Sequence, residues 1–222
     1  MGKKVYIGIG HGGSDPGAVA NGIKEKDVNL VVGLACRDEL IRHGVEVMTS
    51  RTKDEADPLE QRIKECNAFK PDLAVDLHAN AGGGDGVEIY HYSGGGESKV
   101  LAQNILDSIV KETGQNSRGL KVKLGADGRD YFGFIRQTIP PAVIVECAFL
   151  DNKKDVQIID TAAEQKAMGV AIAKGILKDL DIAWQPKATY TVTVSGLSKT
   201  QADKLAAQLK KDGHTVKVSK KK

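Results

Sequence analysis

Apolar positions along the chain fall into two alternating kinds of segment: short continuous runs, and longer stripes with helical spacing. The first run, residues 3–9, ends abruptly at Gly10-His11-Gly12-Gly13 and opens a loop to residue 24. From 25 to 43, Val28, Val31, Val32, Leu34, Ala35, Leu40 and Ile41 follow a near-helical repeat, and Gly44 supplies the stop. Residues 45–48 read as a second strand and 50–57 as polar loop. Pro58 opens a helix to about residue 69, where its missing N–H costs nothing. Pro71 and Asp72 turn the chain into a third strand at 73–77. It stops at His78-Ala79-Asn80-Ala81, before a second glycine loop at 82–86. A fourth strand at 87–92, a helix at 98–113, a short strand at 120–124 and a short helix at 134–138 follow. Pro140 and Pro141 lead into a fifth main strand at 142–146, and 151–180 holds two helices. Strands alternating with helices predict an α/β fold whose sheet, mostly parallel or mixed, is flanked by helices.

The pattern changes near the C-terminus. Residues 182–188, with Trp184-Gln185-Pro186, read as a linker closing a first domain at 1–181. Beyond it, 189–222 reads as a small βαβ unit. Tyr190, Val192 and Val194 alternate onto one face, and Ser198 with Gln201 makes a capping-box pair. Ala202, Leu205, Ala206 and Leu209 form a helical stripe, Gly213 stops it, and 215–218 closes as a strand. Such a unit is too short for a core of its own, so it is expected to dock on its own copy or on the body.

Composition narrows the class. With 222 residues, 41% hydrophobic and 27% charged, the chain reads as an ordinary globular domain plus an appendage. No apolar stretch reaches membrane-spanning length. Lys3 and Lys4 precede an apolar run, but glycines and His11 cut it short, so it reads as a strand and not a secretory leader. Tyr6 stands where a myristoylation start needs Ser or Thr. Cys36, Cys66 and Cys147 are scattered and form no CxxC pair, which argues against a disulfide framework and for synthesis in a reducing cytoplasm. The net charge of +3 conceals an asymmetry. Residues 187–222 carry nine lysines against Asp203 and Asp212, a local +7, which leaves −4 on the rest. A basic tail favours an anionic polymer; a solubilising surface is the plain alternative.

Three strand ends carry ionisable residues, His11, His78 and Glu146, and Glu25 stands at the start of the first helix. Open α/β sheets place ligands beyond the carboxyl ends of their strands. Two neutral imidazoles and one carboxylate make a common catalytic zinc set with a position left for water. A further carboxylate can then move that water's proton. Spacing alone leaves open which carboxylate does which. Asp76 shares the strand parity of His78 and reads either as a partner for a ligand histidine or as a polar residue capping a strand or meeting a lysine. Cys147, next to Glu146, is expected to face the core. His43 reads as a helix C-terminal cation, His91 as packed in preference to lining the cleft, and His214 as surface. Arg51, Arg62 and Arg136 fit substrate carboxylates and structural ion pairs equally well. Asn80, two residues past His78, is the best polar candidate for contacting substrate. Gly8-x-Gly10-x-Gly12-Gly13 fails as a dinucleotide fingerprint, because a polar loop with Pro16 separates it from the helix.

The segment His11-Gly12-Gly13-Ser14-Asp15-Pro16-Gly17-Ala18, then Gly22-x-x-Glu25-Lys26-x-x-Asn29-Leu30, resembles the opening of the zinc-dependent N-acetylmuramoyl-L-alanine amidases. Thr49-Ser50-Arg51 followed by Leu59-x-x-Arg62 is similar to that family's next block. Asp76-Leu77-His78-Ala79-Asn80-Ala81 resembles its central metal block, where Ser is more usual at the first position. Pro141-Ala142-Val143-Ile144-Val145-Glu146-Cys147-Ala148-Phe149-Leu150-Asp151-Asn152 resembles its closing catalytic block. The likeness covers residues 3–180 in the expected order. It implies one zinc ion on His11, Glu25 and His78, with Glu146 as general base and acid. The implied reaction is hydrolysis of the amide between the lactyl group of N-acetylmuramic acid and the L-alanine of the peptidoglycan stem peptide.

The implied partner is peptidoglycan, with neither nucleic acid nor membrane among the partners. The tail resembles half of a sporulation-related peptidoglycan-binding repeat, which pairing of two chains into a homodimer would complete. With no leader read at residue 1, the enzyme is expected to be made in the cytoplasm and to reach the wall after release. A phage-type endolysin passing through membrane holes and a sporulation amidase freed at lysis both fit. Two rival readings stand beside this one: a non-catalytic wall-binding protein on an amidase scaffold, and a zinc peptidase cutting within the stem peptide. The leading reading makes a geometric demand. His11, Glu25 and His78 must converge on one point, with Glu146 near but outside bonding distance.

Overall fold

The computed structural model describes residues 2–186, 194–211, 216 and 218. In chain order come β1 (Lys4–Ile9), β2 (Val19–Ala20), β3 (Ile23–Lys24), α1 (Glu25–Arg42), β4 (Glu46–Thr49), α2 (Leu59–Phe69), β5 (Leu73–Asn80) and β6 (Val87–His91). Then follow α3 (Gly96–Thr113), β7 (Ser117–Lys121), α4 (Gly133–Gln137), β8 (Ala142–Phe149), α5 (Lys153–Val156), α6 (Ala162–Asp179) and α7 (Lys199–Lys211). Six strands form one mixed sheet in the order β4-β1-β5-β8-β6-β7. The first four run parallel, while β6 is antiparallel to β8 and parallel to β7. This is the α/β arrangement expected, with helices on both faces.

Strand alternation sorts the side chains. Val5, Ile7 and Ile9, Leu73, Val75 and Leu77, and Val143, Val145 and Cys147 all enter one large core. That core is closed by α1, α3 and α6. Helix α1 contributes Val28, Val32, Cys36 and Leu40, four residues apart and so on one stripe. Helix α6 lies against both α1 and α3 and opens with a full capping box between Thr161 and Glu164. The opposite face starts apolar: Tyr6, Ala74, Ala142 and Ile144 meet Ile63, Cys66, Phe134 and Ile135 from α2 and α4. Further along that same face the strands carry Asp76, His78, Glu146 and Glu88 instead.

Two strands outrun their apolar segments. Strand β5 continues to Asn80 and β8 to Phe149, because the main chain keeps pairing: Asn80 registers with Phe149, and its carbonyl accepts from the Leu150 N–H at 2.8 Å. His78 and Glu146 therefore sit inside their strands, side by side in register, and not at strand ends. Strand β7 falls at Ser117–Lys121, earlier than expected, where it pairs with β6. The loop at 10–24 contains a hairpin that the apolar pattern does not announce. Strands β2 and β3 turn on Asn21 (φ 52°) and Gly22 (φ 75°), and Asn-Gly is the dipeptide that such a two-residue turn favours.

The chain divides into Met1–Gln185 and Pro186–Lys222. Residues 182–185, expected in the linker, instead finish the first unit. The Ile182 N–H bonds the Leu177 carbonyl, and Trp184 stacks on His43 at 4.7 Å with Arg42 and Lys174 against its ring. His43 bonds the Glu39 carbonyl through Nδ1 at 2.7 Å, and its Nε2 accepts from the Gln185 N–H at 2.9 Å. His43, expected only as a helix-end group, thus also docks the end of the first unit onto α1. In the second unit, Ser198 and Gln201 exchange the two bonds of the capping box that starts α7. Ala206 is buried, Ala202 and Leu209 are half-buried, and Leu205 is more exposed. The strands expected at 189–194 and 215–218, and His214, lie outside the described residues except for 194, 216 and 218.

Candidate metal centre

Each of the four chemical residues is delivered by a different piece of backbone. Strand β1 closes on the sheet through the Gly10 N–H, which bonds the Leu77 carbonyl at 2.9 Å. The next residue, His11, takes a left-handed conformation (φ 64°) that ends the strand direction at once. The β2–β3 hairpin then returns the chain. Asn21 pins it through Nδ2 to the Leu150 carbonyl at 2.7 Å, and α1 begins on Glu25. His78 comes from β5, with Glu146 beside it on β8.

Glu25 is buried, and the groups around it are all donors. Its Oε1 faces His78 Nδ1 at 2.9 Å, His11 Nε2 at 3.2 Å, the Ala79 N–H at 3.0 Å and Asn29 Nδ2 at 3.2 Å. Its Oε2 accepts from the Ala18 N–H at 2.9 Å. The two imidazoles stand edge to face, 5.0 Å apart. One ligand atom from each of His11, Glu25 and His78 lies within 4.8 Å of the others, so the three do converge. Two glycines, Gly8 on β1 and Gly10 just past its end, make room. A Cβ on Gly10 would fall 2.6 Å from His78 Nε2, and one on Gly8 would strike the Asp76 carboxylate. These glycines serve close approach, a use the sequence reading did not assign to them.

Burial works against the Glu25 charge, but the hydrogen bonds from both histidines outweigh it and hold the carboxyl well below its usual range. The Glu25 bond raises His11, with burial opposing and Asp15 adding. For His78 burial also opposes, yet Asp76 and Glu25 push the ring up to about 10. Both shifts favour protons on the rings beside the carboxylate, the protons that a divalent cation would displace. Glu146 is pushed up to about 7, first by burial and then by Glu25, Glu88 and Asp76, with His78 opposing. A carboxyl poised near neutrality can both take and give a proton.

Residues 5–178 match the family model described as N-acetylmuramoyl-L-alanine amidase. The chain belongs to this amidase family. It is 34% identical over 214 residues to the N-acetylmuramoyl-L-alanine amidase CwlM of Bacillus licheniformis, covering 95% of this chain and 82% of that one. It is 31% identical over 219 residues to the sporulation-specific N-acetylmuramoyl-L-alanine amidase of Bacillus subtilis, again covering 95% and 82%. Among solved structures, the catalytic domain of the amidase CwlV from Bacillus (Paenibacillus) polymyxa matches with a TM-score of 0.73 at 31% identity, over 82% of this chain and 99% of that one. The chain is thus an amidase acting on peptidoglycan. Coverage of 95% carries the likeness past residue 185 into the second unit.

The remaining candidates sort themselves within this amidase. Arg51 bonds the carbonyls of Ile9, Gly10, Lys26 and Lys53, and Arg136 those of Asp130 and Tyr131, so both brace the fold. Arg62 is buried against Asp76, at 2.9 Å. Asp76 thus meets an arginine, not a lysine, and its other oxygen lies 3.4 Å from His78 Nε2. Burial would raise Asp76, but Arg62 and His78 hold it below the ordinary range. Cys147 is buried in the large core, and burial pushes its thiol up. His91 is buried with Nδ1 on the Tyr92 carbonyl at 2.8 Å. Asn80 is half-buried: Nδ2 donates to Glu88 at 3.1 Å and Oδ1 accepts from the Ala81 N–H at 2.8 Å.

Sequence reasoning passed over Glu88, Tyr90, Arg118 and Asp15. Glu88 registers opposite Glu146 on β6 and accepts from Asn80, from the Tyr90 hydroxyl at 3.2 Å and from Arg118 Nε at 2.7 Å. The alternation Val87-Glu88-Ile89-Tyr90 puts both polar residues on one face, but only the register reveals that this is the face of Glu146. Asp15 Oδ2 holds His11 Nδ1 at 2.8 Å.

Proposed function

We propose that this amidase holds one zinc ion on His11, Glu25 and His78. Glu146 then serves as general base and acid while the amide between the N-acetylmuramic lactyl group and L-alanine is hydrolysed. The convergence of three donor atoms, two imidazole nitrogens and one carboxylate oxygen, carries the reading. That donor set suits zinc. The cradle around it is tight: a Cβ on Gly17 would lie 2.6 Å from Glu25 Oε2 and 2.7 Å from the His11 ring. Zinc bound there supplies a lowered pKa for a bound water and polarisation of the scissile carbonyl.

The chain's own residues do the rest. Glu146 takes one proton from the attacking water and returns it to the departing alanine nitrogen, while the water's hydroxyl ends on the lactyl carbon. Glu88, with three donors of its own, keeps Asn80 oriented. An amide group has two donors, so Asn80 keeps its second Nδ2 hydrogen for the substrate. The basic second unit binds wall polymer, and pairing of two such units makes a homodimer. Its seven surplus positive charges support the polymer binding, and the likeness to two amidases runs past residue 185 into this unit. Among the described residues no helix is long and apolar enough to cross a membrane. Release to the wall through membrane holes or at lysis fits that observation.

Digestion of purified peptidoglycan tests the reading, with mass spectrometry of the products. The amidase frees the lactyl carboxylate and peptides that begin at L-alanine. A chelator stops the release and added zinc restores it. A cut within the stem peptide favours the peptidase instead, and pelleting with the wall without any release favours a binding protein.

A further inference from the structure

Both histidines that face Glu25 turn their second ring nitrogen to a carboxylate, but the two carboxylates differ. Asp15, on His11 Nδ1, is 64% exposed on a loop. Asp76, on His78 Nε2, is only 2% exposed. Arg62 Nη1 donates to the other Asp76 oxygen at 2.9 Å, and Arg62 Nε lies 3.9 Å from Asp57 Oδ2. Asp57 in turn accepts from Ser50 Oγ at 2.6 Å, and Ser50 Oγ accepts from the Ile9 N–H at 2.9 Å. A chain of polar contacts, alternating in charge as far as Asp57, thus runs from His78 to the end of β1. Gly8 leaves the space that Asp76 fills.

We propose that Asp76, locked by Arg62, is a positioning residue that fixes the His78 ring with Nδ1 toward Glu25 and so sets the site's affinity for zinc. The inference rests on the zinc reading above. A free imidazole exchanges its tautomers and can turn its ring; a carboxylate acceptor at Nε2 keeps the proton there and leaves the Nδ1 lone pair for the metal. A buried carboxylate can do this only if its own charge is met, and Arg62 meets it. Asp15 performs the same office for His11 from solvent, where water competes for both partners. The buried pair therefore contributes more to metal affinity than the exposed one.

The test measures zinc dissociation constants of the full chain by competition with a chromogenic chelator, for wild type, Asp76→Asn and Asp15→Asn. Asp76→Asn weakens zinc binding by about 10- to 100-fold, the range typical of lost outer partners of ligand histidines, and by more than Asp15→Asn does. A second readout needs no variant. In zinc-loaded wild type with 15N-labelled histidine, His78 shows a metal-bound Nδ1 and a slowly exchanging, hydrogen-bonded Nε2 proton. Zinc binding unchanged by Asp76→Asn, or His78 ligated through Nε2, overturns the proposal and leaves the zinc reading standing. A wild-type chain that takes up no stoichiometric zinc overturns both.

Discussion

The two faces of the sheet are built from the same strands and serve opposite ends. On the face under α1, α3 and α6, residues from β1, β5, β6 and β8 enter one apolar core. On the other face, α2 and α4 cover Tyr6, Ala74, Ala142 and Ile144, and beyond that cover Asp76, His78, Glu146 and Glu88 take over. Neighbouring residues on one strand therefore belong to different worlds: Val145 and Cys147 to the core, Glu146 between them to the site. Position along the strand matters less than parity plus the reach of the covering helices. Most charges on the second face are met by partners, and Glu146, raised to about 7 by burial, is eased toward its neutral form instead. Glu25 has five donors, Asp76 has Arg62, and Glu88 has three donors.

The sharpest way to break that comparison is to change adjacent residues. Glu146→Gln should lower amidase turnover by about 10²–10⁴-fold, the usual weight of a positioned acid–base group, while thermal stability and zinc content stay put. Val145→Ala should do the reverse. Removing two buried carbons costs about 2 kcal/mol of stability, read from denaturant unfolding, with turnover per folded molecule preserved. A fully active Glu146→Gln variant would remove Glu146 from the chemistry.

Gly10 probes how tightly β1 and β5 must approach on the site face. A Cβ there would fall 2.6–2.7 Å from the His78 ring nitrogens, closer than side chains ever sit. Gly10→Ala should therefore displace His78 and weaken zinc binding by at least about tenfold, measured by chelator competition. Unchanged affinity would mean that the ring is free to shift, contrary to its hold by Glu25 and Asp76.

Much of this was legible in the chain. Apolar runs located the main strands, because buried parallel strands are apolar on both faces. The blocks around His11, Glu25, His78 and Glu146 pointed to candidates of which three, His11, Glu25 and His78, come together in the fold. What sequence could not convey was register. Glu88 looks like an ordinary strand glutamate until β6 is known to lie antiparallel beside β8, opposite Glu146. The extensions of β5 to Asn80 and β8 to Phe149 depend on each other's main-chain bonds, not on side-chain pattern. The hairpin before Glu25 was readable in Asn21-Gly22, but two-residue strands carry no alternation. The docking part of His43 was not legible because its partner, Gln185, lies at the far end of the first unit.

A smaller effect tests whether Glu88 speaks to Glu146 across β6 and β8. Glu146 is raised to about 7 by burial, with Glu25 and Glu88 adding. A raised carboxyl is protonated at lower pH and serves as base only above its pKa, so kcat/KM should climb as pH rises through about 7. Glu88→Gln removes one repelling negative charge, so the inflection should move to lower pH, by about half a unit if the pair interacts across a partly solvated site. No movement, with turnover otherwise intact, would leave Glu88 only its part in holding Asn80, Tyr90 and Arg118.

The smallest effect is expected one residue further on. Cys147 follows Glu146, and alternation turns its thiol into the core beneath α1, where burial pushes it up and away from the reactive thiolate. Iodoacetamide should leave the native enzyme unlabelled at Cys147 and fully active, and label it only after denaturation. Rapid native labelling at Cys147 with loss of activity would mean that β8 presents consecutive side chains to the same cleft. The separation of core face from site face would then fail at the strand on which it rests most.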